Sequence, residues 1–274
     1  VADAPLIRIF SDVHYGDRGS RVRDPAQLNP LVGDCGGLVL NGDLLDTRPG
    51  PEPARTADQR AAVLEYFSRR GPPTTFVTGN HDPDLSAVHL LELAAGRVQV
   101  THGDILFDDI VPWGRDAAAI QRILRSEFAA IPPDSAPELE RRLAALRRVA
   151  AAIPQRHQSE RNLARYLLGL ASDTLWPPHR FRSVIRAWRE LPRRAAALAR
   201  EHRPQARFVV VGHTHRPGVW PTRSGVVVIN TGSFGPLLGG MIVELSATAL
   251  RVRRLERRRG EFHAGEKVAE YPLP

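Results

Sequence analysis

Five times along this chain, a run of four or five apolar or β-branched residues stops at a polar cluster. Leu6–Phe10 leads to Asp12-Val13-His14, and Gly37–Leu40 leads to Asn41-Gly42-Asp43. Thr74–Thr78 leads to Gly79-Asn80-His81-Asp82, Arg97–Val100 to His102-Gly103-Asp104, and Phe208–Val211 to Gly212-His213-Thr214-His215. Runs of this length and composition predict short strands buried on both faces of an α/β layer. Residues just past the carboxyl ends of neighbouring strands in such a sheet converge on one crevice. The chain is therefore expected to bring its five clusters together.

Between the fourth and fifth clusters the period changes to that of helices. Ile120, Ile123, Leu124 and Phe128 form one apolar stripe, and Leu139, Leu143, Leu146, Val149 and Ile153 form another. Ser135 with Glu138 predicts a capping box, with Pro137 between them. Prolines at 132–133, 154, 177–178, 192 and 204 are expected to punctuate the segment. After it the β pattern returns in Val226–Asn230, Met241–Leu245 and Leu250–Leu255, while Ala57–Arg69 predicts a helix between the second and third strands. The expected organisation is a core from 1–114 and 205–256, an Arg-rich helical cap or lid over 115–204, and an exposed tail or edge over 257–274. If the segment is a lid, removing 116–201 should spare hydrolysis of a small substrate, provided the core still folds.

At 274 residues the chain can bury roughly 70–75% of its unfolded surface without crosslinks. Cys35 is the one cysteine, which excludes an intramolecular disulfide and a multi-thiolate zinc site. The apolar runs fall far short of the ~20 residues that span a bilayer, so the expected address is the cytoplasm. The first residue is Val1, which leaves a removed leader open. The formal net charge is +8, and the stretch 115–207 alone holds 19 Arg against 9 acids. The positive excess is thus local. It predicts either a solvated helical surface or one that faces anions: a phosphorylated substrate, lipid headgroups or nucleic acid.

Each cluster taken alone has an ordinary explanation as a cap, a turn, a loop or a core histidine. Five in order, each behind a strand, point to a metal site. Their neutral nitrogens and carboxylate oxygens suit Mn²⁺, Fe²⁺ or Zn²⁺ rather than Ca²⁺. His89, His157, His179, His202 and His263 match no cluster and read as ordinary surface or core.

In order and spacing the clusters resemble the signature of the calcineurin-like metallophosphoesterase superfamily: Asp-x-His, Gly-Asp, Gly-Asn-His-Asp, His-Gly-Asp and Gly-His-x-His. The resemblance covers about 1–110 and 205–245 and implies an α/β fold, a two-sheet β-sandwich flanked by helices, here with a helical cap insertion. It implies two divalent metal ions, manganese first, with iron(II) or zinc as alternatives. Asp12, His14, Asp43 and His215 would hold one ion, and Asp43, Asn80, His102 and His213 the other. His81 would be the catalytic histidine beside the leaving group, oriented by Asp82. Two ions ~3.5–4 Å apart lower the pKa of a shared water and clamp phosphoryl oxygens, so the implied activity is hydrolysis of a phosphomonoester, phosphodiester or pyrophosphate bond. Asp46 and Asp104 follow ligand motifs closely enough to orient imidazoles or water, and Asp17, Arg18 and Arg21 are candidates for the substrate entrance.

Two details resemble the UDP-2,3-diacylglucosamine pyrophosphohydrolase branch of lipid A biosynthesis. One is His102–Leu106 leading through Asp108-Asp109 toward a helix; the other is the Arg-rich excursion itself. Those enzymes typically carry Arg where this chain has His81. The expected partners are a phosphate-ester small molecule or a lipid-linked substrate, with peripheral contact to an anionic membrane through the Arg-rich cap. Nucleic acid is disfavoured because aromatics make up 6% of the chain and offer no stacking platform. A non-catalytic interaction module would be expected to lose ligands, and every ligand position here is filled.

Overall fold

The apolar runs pair into two sheets, and their alternation assigns each residue to a layer. A computed structural model describes residues 5–156, 160, 162–174 and 176–273. The strands are β1 (Ile7–Phe10), β2 (Gly37–Asn41), β3 (Thr74–Val77), β4 (Leu90–Leu93), β5 (Val98–Thr101), β6 (Phe208–Val211), β7 (Gly218–Pro221), β8 (Val227–Asn230), β9 (Met241–Leu245), β10 (Ala249–Arg258) and β11 (Glu261–Pro272). The helices are α1 (Asn29–Val32), α2 (Pro53–Arg70), α3 (Ala117–Ala129), α4 (Glu138–Ala152), α5 (Leu163–Thr174) and α6 (Pro178–His202). One sheet has the order β11-β10-β9-β1-β2-β3 and the other β4-β5-β6-β8-β7. β1, β2 and β3 run parallel, as do β5, β6 and β8, and antiparallel strands complete each sheet.

Ile9, Val39 and Val77 meet Val98, Val100, Val210 and Ile229 in the layer between the sheets. Their neighbours Phe10, Leu38 and Leu40 face the opposite way and pack with Leu31, Val63 and Phe67 of α1 and α2. Val209, Val211 and Val228 face outward from the second sheet and pack with Leu139, Leu146, Leu191 and Ala195 of α4 and α6. Period-2 alternation thus builds a two-sheet sandwich with helices on both outer faces. Each such side chain, fully buried, contributes about 1.5–3 kcal/mol.

That packing bears on whether the core would fold without the helical segment. α4 and α6 are the helical layer of the second sheet, and removing them would uncover its outer face. The segment 257–274, expected as an exposed tail or edge, is mostly β11, the edge strand paired with β10 from Ala249↔Pro272 to Arg258↔Glu261. Two local signals fail. Pro137 occupies the N-cap of α4, and the Ser135 hydroxyl donates to Pro132 O instead of capping the helix. Pro192 lies inside α6 rather than ending it. A proline frees the carbonyl four residues earlier, and here Trp188 O accepts from Arg216 Nη1 at 3.4 Å. Among the described residues, no helix is long and apolar enough to cross a membrane.

Candidate metal centre

The parallel strands β1, β2, β3, β5 and β6 all end at the same edge of the sandwich, and their following loops meet there. Leaving a strand and turning a side chain back into one crevice requires unusual backbone. Asp12, His14, Asp43, His213 and His215 all have positive φ, between 48° and 68°, a conformation that non-glycine residues rarely adopt. Strain of this kind persists where the surrounding structure over-determines it, and it clusters at functional sites. Gly79 fits for a steric reason: a Cβ there would fall on Asp43 Oδ1.

The side chains converge in three overlapping groups: Asp12, His14 and His215; Asp12, Asp43 and His102; and His14, Asp43 and His81. Within each group, the candidate ligand atoms lie within 4.8 Å of one another. His14 Nε2 is 3.1 Å from His215 Nε2 and 3.8 Å from one oxygen each of Asp12 and Asp43. His215 Nε2 is also 3.1 Å from Asp12 Oδ1, and His102 Nε2 is 3.2 Å from Asp43 Oδ2. Asp43 therefore stands between the His14 and His102 sides, where a shared ligand must stand.

Two buried atoms show what this arrangement is suited to hold. Asn80 is 2% exposed and its Oδ1 has no hydrogen-bond partner, while His102 is fully buried with its Nε2 facing the Asp43 carboxylate. The other ring nitrogen of His102, Nδ1, donates to Asn41 O at 2.9 Å, which leaves Nε2 as the ring atom that faces the cluster. A buried acceptor left without a donor is costly unless a cation takes its place. His213 Nε2 is bonded to Ile110 O at 2.7 Å, and its ring centroid is 5.3 Å from that of His102. His213 thus lies beside the centre but belongs to none of the three groups among the described residues.

The cluster balances its charge internally: against their burial, Asp43 and Asp12 push the His102 imidazole well up and Asp12 pushes that of His215 up, a positive charge that a bound cation would replace. Burial pushes the imidazoles of His14 and His213 down to about 4, so both rings are neutral near pH 7. Burial opposes the charge on Asp43, but the surrounding imidazoles, His102 foremost, outweigh it and hold the carboxyl well below its usual range. Asp12 is held down in the same way against its own burial, chiefly by His102 and His215.

His81 sits at the rim. Its Nε2 is 4.0 Å from Asp43 Oδ2, and its Nδ1 is 2.9 Å from both Asp46 Oδ2 and Arg48 Nη2. Arg48 grips Asp46 through two further bonds, Nε to Oδ1 at 2.9 Å and Nη2 to Oδ2 at 2.7 Å. Nδ1 can donate to Asp46 or accept from Arg48, and when Arg48 donates to it the neutral ring carries its proton on Nε2, facing the cluster.

The expected role of Asp82 is corrected. Asp82 accepts from the backbone N–H of Asp43 at 3.0 Å, Leu44 at 2.7 Å and Gly79 at 2.7 Å, and makes no hydrogen bond to the His81 ring. It ties two motif loops together, and burial followed by the charge of Asp43 pushes its carboxyl up to about 7. The partner of His81 is Asp46. The sequence marked Asp46 by its place three residues after Asp43 but gave no signal for Arg48.

Beneath the centre, Asp104 bonds His89 Nε2 at 3.2 Å, and His89 Nδ1 bonds Thr78 Oγ1 at 2.5 Å. His89 is a core histidine that links two motif loops, while His157 lies outside the described residues. Asp17 accepts from Tyr166 Oη at 3.0 Å, and Arg18 and Arg21 are exposed nearby.

No family model and no curated protein matches this chain. Among solved structures it is similar to a dimetal phosphatase from Danio rerio, at 16% identity over 99% of this chain and 100% of that one, with a TM-score of 0.49. It is also similar to a predicted phosphoesterase from Streptococcus pneumoniae, at 15% identity over 99% of each chain and a TM-score of 0.41. A third is vacuolar protein sorting 29 from Cryptosporidium parvum, at 12% identity over 97% of each chain and a TM-score of 0.43. At these scores the likenesses add nothing to the chemistry, which the side chains above define.

Proposed function

We propose that this chain, a two-sheet sandwich with the five metallophosphoesterase-like motifs at one edge, is a phosphoesterase that works with two divalent metal ions. The observation that carries the reading is the unpartnered buried Asn80 Oδ1 together with the convergence of His102 and His14 on the single buried carboxylate of Asp43. Asp12, His14, Asp43 and His215 form the first ligand set and Asp43, Asn80, His102 and His213 the second. The mixed oxygen and imidazole donors suit manganese, with iron(II) or zinc as alternatives. Bound there, the ions would supply Lewis acidity to phosphoryl oxygens and lower the pKa of water.

The protein's own contribution is position and proton supply. The strained turns fix the ligands before anything binds. His81 presents Nε2–H where a leaving oxygen gains charge, an effect worth roughly 10²–10⁴ in rate. Asp46 and Arg48 hold that ring in place.

The test is metal content and hydrolysis of aryl phosphomonoesters and phosphodiesters after loading with Mn²⁺, Fe²⁺, Zn²⁺, Co²⁺ or Mg²⁺, with the acylated UDP-sugar as one further substrate. Two equivalents of metal and turnover that a chelator removes are expected. Asp43→Asn should lose both ions, with turnover down by more than about 10⁴-fold, beyond the loss from any single proton donor. Full metal occupancy in that variant, or no turnover with any ion, overturns the reading.

A further inference from the structure

The helices that carry the arginine surplus leave an apolar surface uncovered. On α5 the apolar residues Ala164, Leu167, Leu168 and Ala171 are all exposed, while Tyr166 between them is buried. Their spacing of i, i+3, i+4 and i+7 makes one stripe, and it faces outward, the reverse of an ordinary surface helix. Leu168 and Trp176 are each 70% exposed, and Phe181 at the start of α6 is 48% exposed.

A second element adds to this corner. Leu237, 87% exposed, and Leu238 stand on the loop after β8. That loop and α5 flank the same backbone: a Cβ on Gly235 would lie 3.8 Å from Gly19 O, and one on Gly19 would fall on Tyr166 Oη. Arg21 N donates to Phe234 O at 3.0 Å and fixes the loop against the first motif.

Exposed arginines stand on the same elements and on the helix that follows. Arg18, Arg21 and Arg23 are exposed beside the loop, and Arg165 is exposed on α5. Along α6 the exposed residues Arg182, Arg186, Arg189, Arg193 and Arg200 follow at i, i+4, i+7, i+11 and i+18, which is one face of the helix. Arg186 pairs with Glu190. Arg182, Arg189, Arg193 and Arg200 have no acidic partner among the described residues.

This combination selects among partners. A second copy docked by the same face would set like charges against each other. Nucleic acid would satisfy the guanidiniums but would leave Leu167, Leu168, Leu237 and Leu238 against phosphates. An anionic bilayer takes both, with leucine and tryptophan in the acyl boundary and guanidinium forks on headgroup phosphates.

We propose that the corner built from α5, the start of α6 and the Leu237–Leu238 loop docks on an anionic lipid bilayer, with the α6 arginine stripe lying over the headgroups. Tyr166 holds α5 against Asp17, three residues past His14, so docking sets the mouth of the metal centre beside the lipid. The inference stands on surface chemistry and does not require the phosphoesterase reading.

The test is co-sedimentation of the full chain with vesicles of phosphatidylcholine alone and of phosphatidylcholine with phosphatidylglycerol. Binding to the anionic vesicles alone is expected, weakened by salt and by about fivefold for each of Arg182→Gln and Arg189→Gln. Leu167→Glu with Leu168→Glu, and separately Leu237→Glu, should abolish it while circular dichroism and metal content stay unchanged. A blue shift of tryptophan fluorescence on binding, absent in Trp176→Phe, should accompany it. Equal binding to neutral vesicles, no binding to either, or leucine variants that bind as the parent does would overturn the proposal. The last outcome, joined to competition by a duplex oligonucleotide, would assign the stripe to nucleic acid.

Discussion

The strand-end crevice and the α5–α6 surface both concentrate charged side chains, yet they handle charge in opposite ways. In the crevice the carboxylates are buried, or nearly so at Asp46, and face an imidazole, a guanidinium or a row of backbone N–H groups, with strained backbone at Asp12 and Asp43. On α6 the arginines stand in water at unstrained helical positions, most without a partner. The crevice is preorganised for a small, hard target; the helix face suits a broad and deformable one. Between them lies the sheet-facing side of α4 and α6, which belongs to neither and holds both in place.

The largest expected effect tests that last point. Deleting 117–202 should abolish folding, because it strips Leu139, Leu146, Leu191 and Ala195 from the outer face of β6 and β8. It also removes three hydrogen bonds that pin motif loops: Arg147 Nη2 to Ser86 O at 2.6 Å, Gln155 Nε2 to Asp46 O at 2.9 Å and Trp188 Nε1 to Thr214 O at 3.0 Å. Near-UV circular dichroism and a thermal melt of the deletion variant check this. A cooperative transition would restore the segment to the status of a lid.

Next in size are the two halves of the His81 pair. His81→Ala should lower turnover by roughly 10²–10⁴-fold while both metals stay bound, and by more for poor leaving groups than for activated aryl ones. Asp46→Asn should follow the same leaving-group dependence at a smaller loss, since it leaves the ring in place without its carboxylate. Asp82→Asn should instead act through the loops it ties, lowering the melting temperature with no dependence on the leaving group. If Asp46→Asn and Asp82→Asn behave alike, the assignment of Asp46 as the partner of His81 fails.

These residues also mark how far the sequence could be followed. Strands whose two faces are both buried, such as β6 with Phe208 and Val210 on one side and Val209 and Val211 on the other, announce themselves as unbroken apolar runs. β4, β7 and β11 are edge strands, half-exposed along much of their length, and their mixed composition carries no such signal. The motif residues were legible because their chemistry is local to a strand end. The Asp46–Arg48–His81 contact was only half legible, because it joins loops 33 residues apart in sequence and depends on how they cross. The stripes on α4 and α5 look alike as text, since a period of 3.6 states that a face is apolar but not what covers it. One is covered by a sheet and the other by nothing among the described residues.

The smallest effects sharpen that last contrast. Leu146 on α4 is fully buried and Leu168 on α5 is 70% exposed. Leu146→Ala should cost about 2–5 kcal/mol in urea unfolding, because it opens a cavity against the sheet that neighbours can only partly fill. Leu168→Ser removes a side chain with little to pack against and should change stability by less than about 0.5 kcal/mol. A large loss at Leu168 would mean that α5 is part of the packed fold, and its outward stripe would then need no lipid to account for it. Near-neutrality in water, joined to a loss of vesicle binding, is the outcome that separates a helix face kept for a partner from one kept for the core.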